Sequence, residues 1–499
     1  MREAASTAPA HEGPVPLAPS DAPRGFPHPD PLPEGEGAAG GILPATTMRA
    51  TAHVPVLVIG AGACGLVAAL AAHDAGAEVA VLERDRAPAG STALSSGFIP
   101  AAGTRFQRAQ GIDDTPARLA ADIAHKTIGQ ADPAEALRVA TAAGPALEWL
   151  ADHHGIPFTV LDGFLYPGHG RHRMHAVPER TGAALMARLH AATEAAGIPV
   201  LTGAHVQALF ADVDSRIHGA RLHRPDGTAE DIACAALVLA CSGYGAAPDL
   251  LRRHMPSVAD APYFGHAGNQ GDALRWGLAL GADARDLSGH QGHGSVAHPH
   301  GALITWALMM EGGIQVNRAG QRFGNEHAGY SEHAALVLAQ PGGVAWAVFD
   351  ARLHALGLGF DDYRTAAEAG AVRTAADAAG LAEATGLPPG ALAATLADMV
   401  QLAAAGTPDR FGRRFTAPLA TPLHAIQVTG ALFHTQGGLV VDGSARVLRP
   451  GGTPLPNLFA GGGAARGVSG PDPAGYLSGN GLLTAIAYGR LAGAAAALL

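Results

Sequence analysis

Three glycines spaced G-x-G-x-x-G, Gly60, Gly62 and Gly65, stand between an apolar run and an alanine-rich run, and Glu83 closes the apolar run that follows. The first glycine allows a tight turn, the second lets backbone approach a pyrophosphate, and the third lets helix pack on strand. A carboxylate at Glu83 can accept hydrogen bonds from a ribose. The pattern predicts dinucleotide binding. Other polar groupings admit plainer readings. The run SGHQGHGSVAHPHG holds His290, His293, His298 and His300 without a carboxylate or cysteine, so it reads as pocket lining rather than a metal site. No metal is expected. Arg466, in GGGAARGVSG, could clamp a carboxylate bidentately or serve as a structural or surface cation. Cys64, Cys234 and Cys241 form no C-x-x-C pair, which excludes a disulfide framework, a disulfide reductase and structural zinc.

The elements that position these residues can be read from the surrounding sequence. From Val54, VPVLVIGAGACGLVAALAAHDAGAEVAVLERD reads as strand, glycine turn, helix, strand, a βαβ unit. Two alternating strands flank the Asp226-Gly227 turn, and ALVLACSGYG runs from a buried strand into glycines. Near the end, PLPNLFAGGGAARG followed by GNGLLTAIAYGRLAG repeats strand, glycine loop and helix. The expected fold is α/β: a Rossmann-like domain of the glutathione-reductase type built from residues 53–260 and 415–499, with an inserted α+β capping domain at 261–414. Residues 1–47 carry 10 of the 36 prolines and no hydrophobic period, so 1–52 is expected to be a disordered extension, with Met48 an alternative start. The chain has 499 residues, enough for two or three domains. Charged residues are 15% and net charge is -10, with no basic cluster, which argues against nucleic acid. No long uncharged apolar run or basic-then-apolar leader occurs, so a cytoplasmic location without a membrane segment is expected.

Five ordered motifs carry a family resemblance over nearly the whole chain after residue 53: GAGACG with Glu83, GSTALSSG, GGIQVNRAGQRFGNE, HTQGGLVVD and NLFAGGG with GNGLLTAIAYGRLAG. The chain resembles the fumarate reductase/succinate dehydrogenase flavoprotein superfamily, FAD enzymes with an inserted capping domain. The resemblance implies FAD held by Gly60, Gly62, Gly65, Glu83, Ser91, Thr92, Ser96, Gly97, Val206, Gly462, Asn480, Gly481 and Leu482, with His434 near the flavin. GSTA (Gly90 to Ala93) offers no histidine for covalent attachment, so FAD should be non-covalent. Gly463 departs from the family, whose fumarate reductases carry a glutamate there. Tyr330 and Tyr476 stand where those reductases have two arginines, one delivering a proton and one clamping a substrate carboxylate. Both changes resemble the 3-ketosteroid Δ1-dehydrogenase branch, where the first tyrosine abstracts a proton and the second binds the ketone oxygen.

That resemblance implies α,β-dehydrogenation of a ketone, a 3-ketosteroid or a smaller cyclic ketone such as an oxocyclohexane derivative. Tyr330 would take the proton beside the carbonyl and flavin N5 the hydride. Tyr476 and the backbone N–H of Asn480 would hold the enolate oxygen. A phenol of pKa about 10 is a weak base, so its proton must be relayed or its pKa lowered. His434 would contact substrate or hold the glycine loop, and Arg466 could meet a substrate carboxylate. The same residues could reduce an activated C=C with Tyr330 as acid. The chain could also be an electron-transfer subunit of a larger complex. The partners expected are a ketone or enone and an electron acceptor that the sequence does not identify.

Overall fold

The computed structural model describes residues 41–163 and 165–499. Its larger sheet has nine strands. Their order is Gly41–Pro44, His205–Ala211, Ile217–His223, Ala229–Leu239, Ala50–Ile59, Val79–Leu82 and Val200–Leu201, and Pro454–Ala460 pairs with Ala229–Leu239 and with Arg446–Leu448. Ala50–Ile59 runs parallel to Val79–Leu82 and to Ala229–Leu239, which is itself parallel to Pro454–Ala460. The register aligns Ile59 with Leu82 and with Leu239, and Leu239 with Ala460. Four carboxyl ends therefore meet at one edge, the place where open α/β sheets take ligands.

The strand cores are Val, Leu and Ile buried on both faces, as parallel strands between helices must be. One face is covered by the helix Ala63–Asp74 packed on the C-terminal helix Asn480–Ala496. A Cβ on Gly493 would lie 2.0 Å from Ala68 O, so glycine is what lets these helices meet backbone to backbone. Cys64 and Cys234 are buried, and all three cysteines are free.

A five-stranded antiparallel sheet forms the second half, from His290–Ala297, Leu423–Thr435, Val344–Asp350, Ile314–Val316 and Val372–Ala375. Two apolar clusters of its own back it. Its bounds differ from the expected 261–414. The helix Asp272–Ala279 packs Ala273, Leu274 and Trp276 into the nucleotide-half core, and Leu423–Thr435 joins the second sheet because residues 423–429 pair with Val344–Asp350 and residues 428–435 with His290–Ala297. At the other end, residues 1–40 lie outside the described residues, and the expected disorder does not extend to 52. Gly41–Pro44 pairs in parallel with Ala208–Ala211, and Ile42 packs on the core. Among the described residues no helix is long and apolar enough to cross a membrane.

Candidate active site

The glycine turn lies at the carboxyl end of Ala50–Ile59. A Cβ on Gly65 would fall 1.8 Å from Gly60 O, so only glycine allows the helix to start there. Gly62 differs: an added Cβ meets only Thr92 Oγ1, at 3.8 Å, so the space over the turn is open to a ligand. Glu83 closes the turn, its two oxygens accepting from the amides of Ala61 at 2.8 Å and Asp85 at 2.9 Å. Thr92 Oγ1 accepts from Ala63 N at 3.3 Å, at the start of the first helix. Ser91 Oγ accepts from Asn269 Nδ2 at 2.9 Å and His266 N at 3.1 Å. Ser96 is exposed, Gly97 is buried, and Val206 is buried in His205–Ala211 opposite Leu222.

These features fit FAD. The open turn over Gly62 suits a pyrophosphate, and Glu83 keeps acceptor capacity for a ribose. Gly481 and Leu482 lie in the first turn of the C-terminal helix, where amides have no carbonyl within the helix to bond. Gly462 packs its backbone on Cys64 and Ala485. Gly463 has no room for the glutamate of fumarate reductases: its Cβ would lie 2.9 Å from Gly243 N and 3.2 Å from His434 Nε2.

His434 stands between this glycine loop and the C-terminal helix. Burial pushes its imidazole down to about 4, so it is neutral near pH 7. A directed chain sets its tautomer. Asn480 Nδ2 donates to Ser469 Oγ at 3.1 Å, Ser469 Oγ donates to Gln436 Oε1 at 2.9 Å, and Gln436 Nε2 donates to His434 Nδ1 at 2.8 Å. The proton is thereby assigned to Nε2, on the side of Gly463.

Two tyrosines face one another across the halves. Tyr330 begins the helix Tyr330–Leu338 of the inserted half, and Tyr476 lies on the loop before the C-terminal helix. Their ring centroids are 6.2 Å apart at 65°. Tyr330 OH is 3.0 Å from Ser478 Oγ. Burial raises the Tyr330 phenol above its ordinary value against the opposing bond from Ser478, and the Glu332 carboxylate raises it further. Tyr476 is raised well above the ordinary value by burial and by Tyr330, while the amides of Gly479 and Gly481 pull it back. Behind Tyr330, His293 stacks at 5.0 Å and 23°, with Phe433 and Trp306 around it, and burial drives its imidazole down to about 3.

The motif before Tyr330 is an anchor. Glu326 is fully buried, and its carboxylate accepts from Gln315 N at 2.9 Å, Arg322 Nε at 3.0 Å and Arg413 Nη1 at 2.7 Å.

Two expectations need correction. The Asn480 amide donates to Leu477 O at 3.1 Å, because the chain turns tightly just before the helix, so that N–H is not free for an oxyanion; the Gly479 and Gly481 amides approach Tyr476 instead. Arg466 does not wait for a substrate carboxylate. Its guanidinium is held by Asp286 at 2.6 Å and Asp132 at 3.4 Å, and its side chain is 11% exposed. The sequence reading also missed Ser478 and Gln436. Tyr476 has extended backbone, so the residue two positions on falls on its side, a local signal for Ser478. No local signal marks Gln436. Among the described residues no three His, Cys, Asp or Glu are grouped to hold a metal ion.

Residues 55–482 match the FAD binding domain family. The fumarate reductase (cytochrome) of Shewanella frigidimarina is 28% identical over 468 residues, covering 89% of this chain and 77% of the relative. The 4-oxocyclohexanecarboxylate 2-dehydrogenase of Sinomonas cyclohexanicum is 26% identical over 524 residues, covering 82% and 87%. Among solved structures, the 3-ketosteroid Δ4-(5α)-dehydrogenase of Rhodococcus jostii, in complex with 4-androstene-3,17-dione, is 27% identical with a TM-score of 0.75, covering 91% of this chain and 99% of that one. With the glycine turn, Glu83 and the open helix terminus in place, the chain belongs to the FAD binding domain family and is an FAD-dependent oxidoreductase of the fumarate reductase/succinate dehydrogenase superfamily.

Proposed function

We propose that the protein desaturates a ketone beside its carbonyl, taking a cyclic ketone such as an oxocyclohexane derivative or a 3-ketosteroid. The observation that carries the reading is the Tyr330–Tyr476 pair, its ring centroids brought to 6.2 Å from opposite halves, at the positions where the resemblance implies arginines in the fumarate reductases. A hydroxyl cannot neutralise a carboxylate as a guanidinium does, so the pair suits a carbonyl oxygen better than a dicarboxylate. Relatives that act on 4-oxocyclohexanecarboxylate and on a 3-ketosteroid support the same class.

In this reading Tyr476 OH donates to the ketone oxygen and steadies the enolate as it forms. Tyr330, as the phenolate, takes the proton from the carbon beside that carbonyl and becomes the phenol, and Ser478 Oγ, at 3.0 Å, steadies the phenolate before the transfer by donating to it. His434, neutral and protonated at Nε2, offers a donor rather than a charge. The inserted half covers the tyrosines and excludes water. FAD, when bound, supplies the two-electron acceptor that removal of a hydride requires. We assign the cofactor as non-covalent and the compartment as reducing and cytoplasmic, in keeping with three free thiols.

One observation favours the opposite direction. Burial keeps Tyr330 protonated near neutral pH, which suits a proton donor to an activated C=C, and the relatives include fumarate reductases. Steady-state assays of cyclic ketones and 3-ketosteroids with an artificial electron acceptor, set against reduction of the matching enones by reduced viologen, separate the two. Enone formation from a ketone supports desaturation. Turnover of fumarate with no ketone oxidised would overturn it.

A further inference from the structure

The first turn of the Tyr330 helix is where the inserted half meets the nucleotide half, and one cation grips it. Lys126 ends the helix Pro116–Lys126, whose Leu119 and Ile123 lie in the nucleotide-half core. Its Nζ donates to the Glu332 carboxylate at 2.5 Å and to Ala328 O at 3.2 Å. Ala328 and Glu332 stand two residues to either side of Tyr330. The side chains of the ion pair are only 16% and 17% exposed, so water screens it poorly.

The surroundings of Glu332 make that cation necessary. Among the described residues its Oε2 is buried with no hydrogen-bond partner, and burial raises its carboxyl above the ordinary value against the opposing pull of Lys126, with a smaller push from the Asp472 carboxylate on the loop leading to Tyr476. Without Lys126 the Glu332 carboxylate would be left buried and unpaired at the interface, which favours its exposure to water by opening. The third tie nearby, Tyr330 OH with Ser478 Oγ, joins neutral groups and cannot offset the cost of an unpaired buried charge.

We infer that Lys126 is a positioning residue that latches the inserted half onto the nucleotide half and fixes the segment carrying Tyr330. The latch reaches beyond the proposed reaction, since it sets closure whichever way the chemistry runs.

The test uses spin labels at two exposed positions, Val213→Cys in the nucleotide half and Val400→Cys in the inserted half, in the FAD-loaded protein. Pulsed-EPR distance distributions are compared for the parent, Lys126→Met, Lys126→Arg, Glu332→Gln and Lys126→Met/Glu332→Gln, with a melting curve for each. The latch predicts a second, longer population in Lys126→Met at an unchanged melting profile. It predicts a single short population in Lys126→Arg and Glu332→Gln, and a return toward that population in the double variant, where the buried charge is gone. A parent-like distribution in Lys126→Met overturns the inference. So does equal broadening in the single and double methionine variants, which would make Lys126 packing alone. Should Lys126→Met fail to fold, a longer population in Lys126→Gln that Glu332→Gln reverses supports the latch, and one that it leaves in place refutes it.

Discussion

Tyr330 is a half-buried phenol held above its ordinary pKa, and the rate through it should carry that signature. As a base it acts from the phenolate, whose fraction grows about tenfold per pH unit below the pKa. With that pKa raised above 10, kcat/KM for ketone desaturation should climb from pH 7 to 10 without levelling, while C=C reduction, which needs the phenol, should stay flat over the same range. A desaturation plateau near pH 7 would mean that another group is the base. Tyr476→Phe removes one donor to the oxyanion and should lower kcat by about 10²–10³, with the flavin spectrum unchanged. His434 adds no acid limb above pH 5, because its imidazole titrates near 4. Its tautomer is a separate matter. Nitrogen-15 shifts of His434 should report Nε2–H in the wild type and a mixture in Gln436→Met, which loses the donor to Nδ1.

Two elements decide whether these residues meet. The glycine turn predicts a split between neighbours: Gly65→Ala, which drives a Cβ into Gly60 O, should not fold, whereas Gly62→Ala should fold and melt normally yet lose FAD, because its Cβ enters only open space over the turn. Equal FAD retention in Gly62→Ala would contradict the placement of the pyrophosphate. The anchor before Tyr330 predicts a cost of a different kind. Glu326→Ala leaves the buried guanidiniums of Arg322 and Arg413 without their shared carboxylate, and should destabilise the inserted half by about 3–5 kcal/mol in denaturant melts. The βαβ turn was legible because its constraints are local, glycine against backbone a few residues away. The edge strand Gly41–Pro44 was not, since four residues in a glycine- and proline-rich stretch become a strand only through pairing with residues 208–211. The reach of the second sheet to Thr435 was hidden for the same reason. At the site, Tyr330 and Tyr476 stood out through their motifs, but the partners that tune them did not. The Lys126–Glu332 and Tyr330–Ser478 contacts span 206 and 148 residues, and the Arg466 guanidinium is claimed by Asp286, 180 residues away.

At the scale of the whole molecule, one half presents the cofactor edge and the other lowers a tyrosine onto it, so cofactor retention and chemistry are separable. FAD should leave intact with acid precipitation, because the Gly90–Ala93 helix carries no histidine to attach it. Flavin remaining with the precipitated polypeptide would refute non-covalent binding. Proton abstraction from a ketone by Tyr330 can be followed by anaerobic bleaching of the bound flavin. Cyclic ketones and 3-ketosteroids are mixed in turn with the wild type and with Tyr330→Phe. At least one ketone should bleach the wild type, with the enone recovered in equal amount, and should bind Tyr330→Phe without bleaching it. Bleaching at the wild-type rate in Tyr330→Phe, or bleaching by succinate and by no ketone, would contradict it.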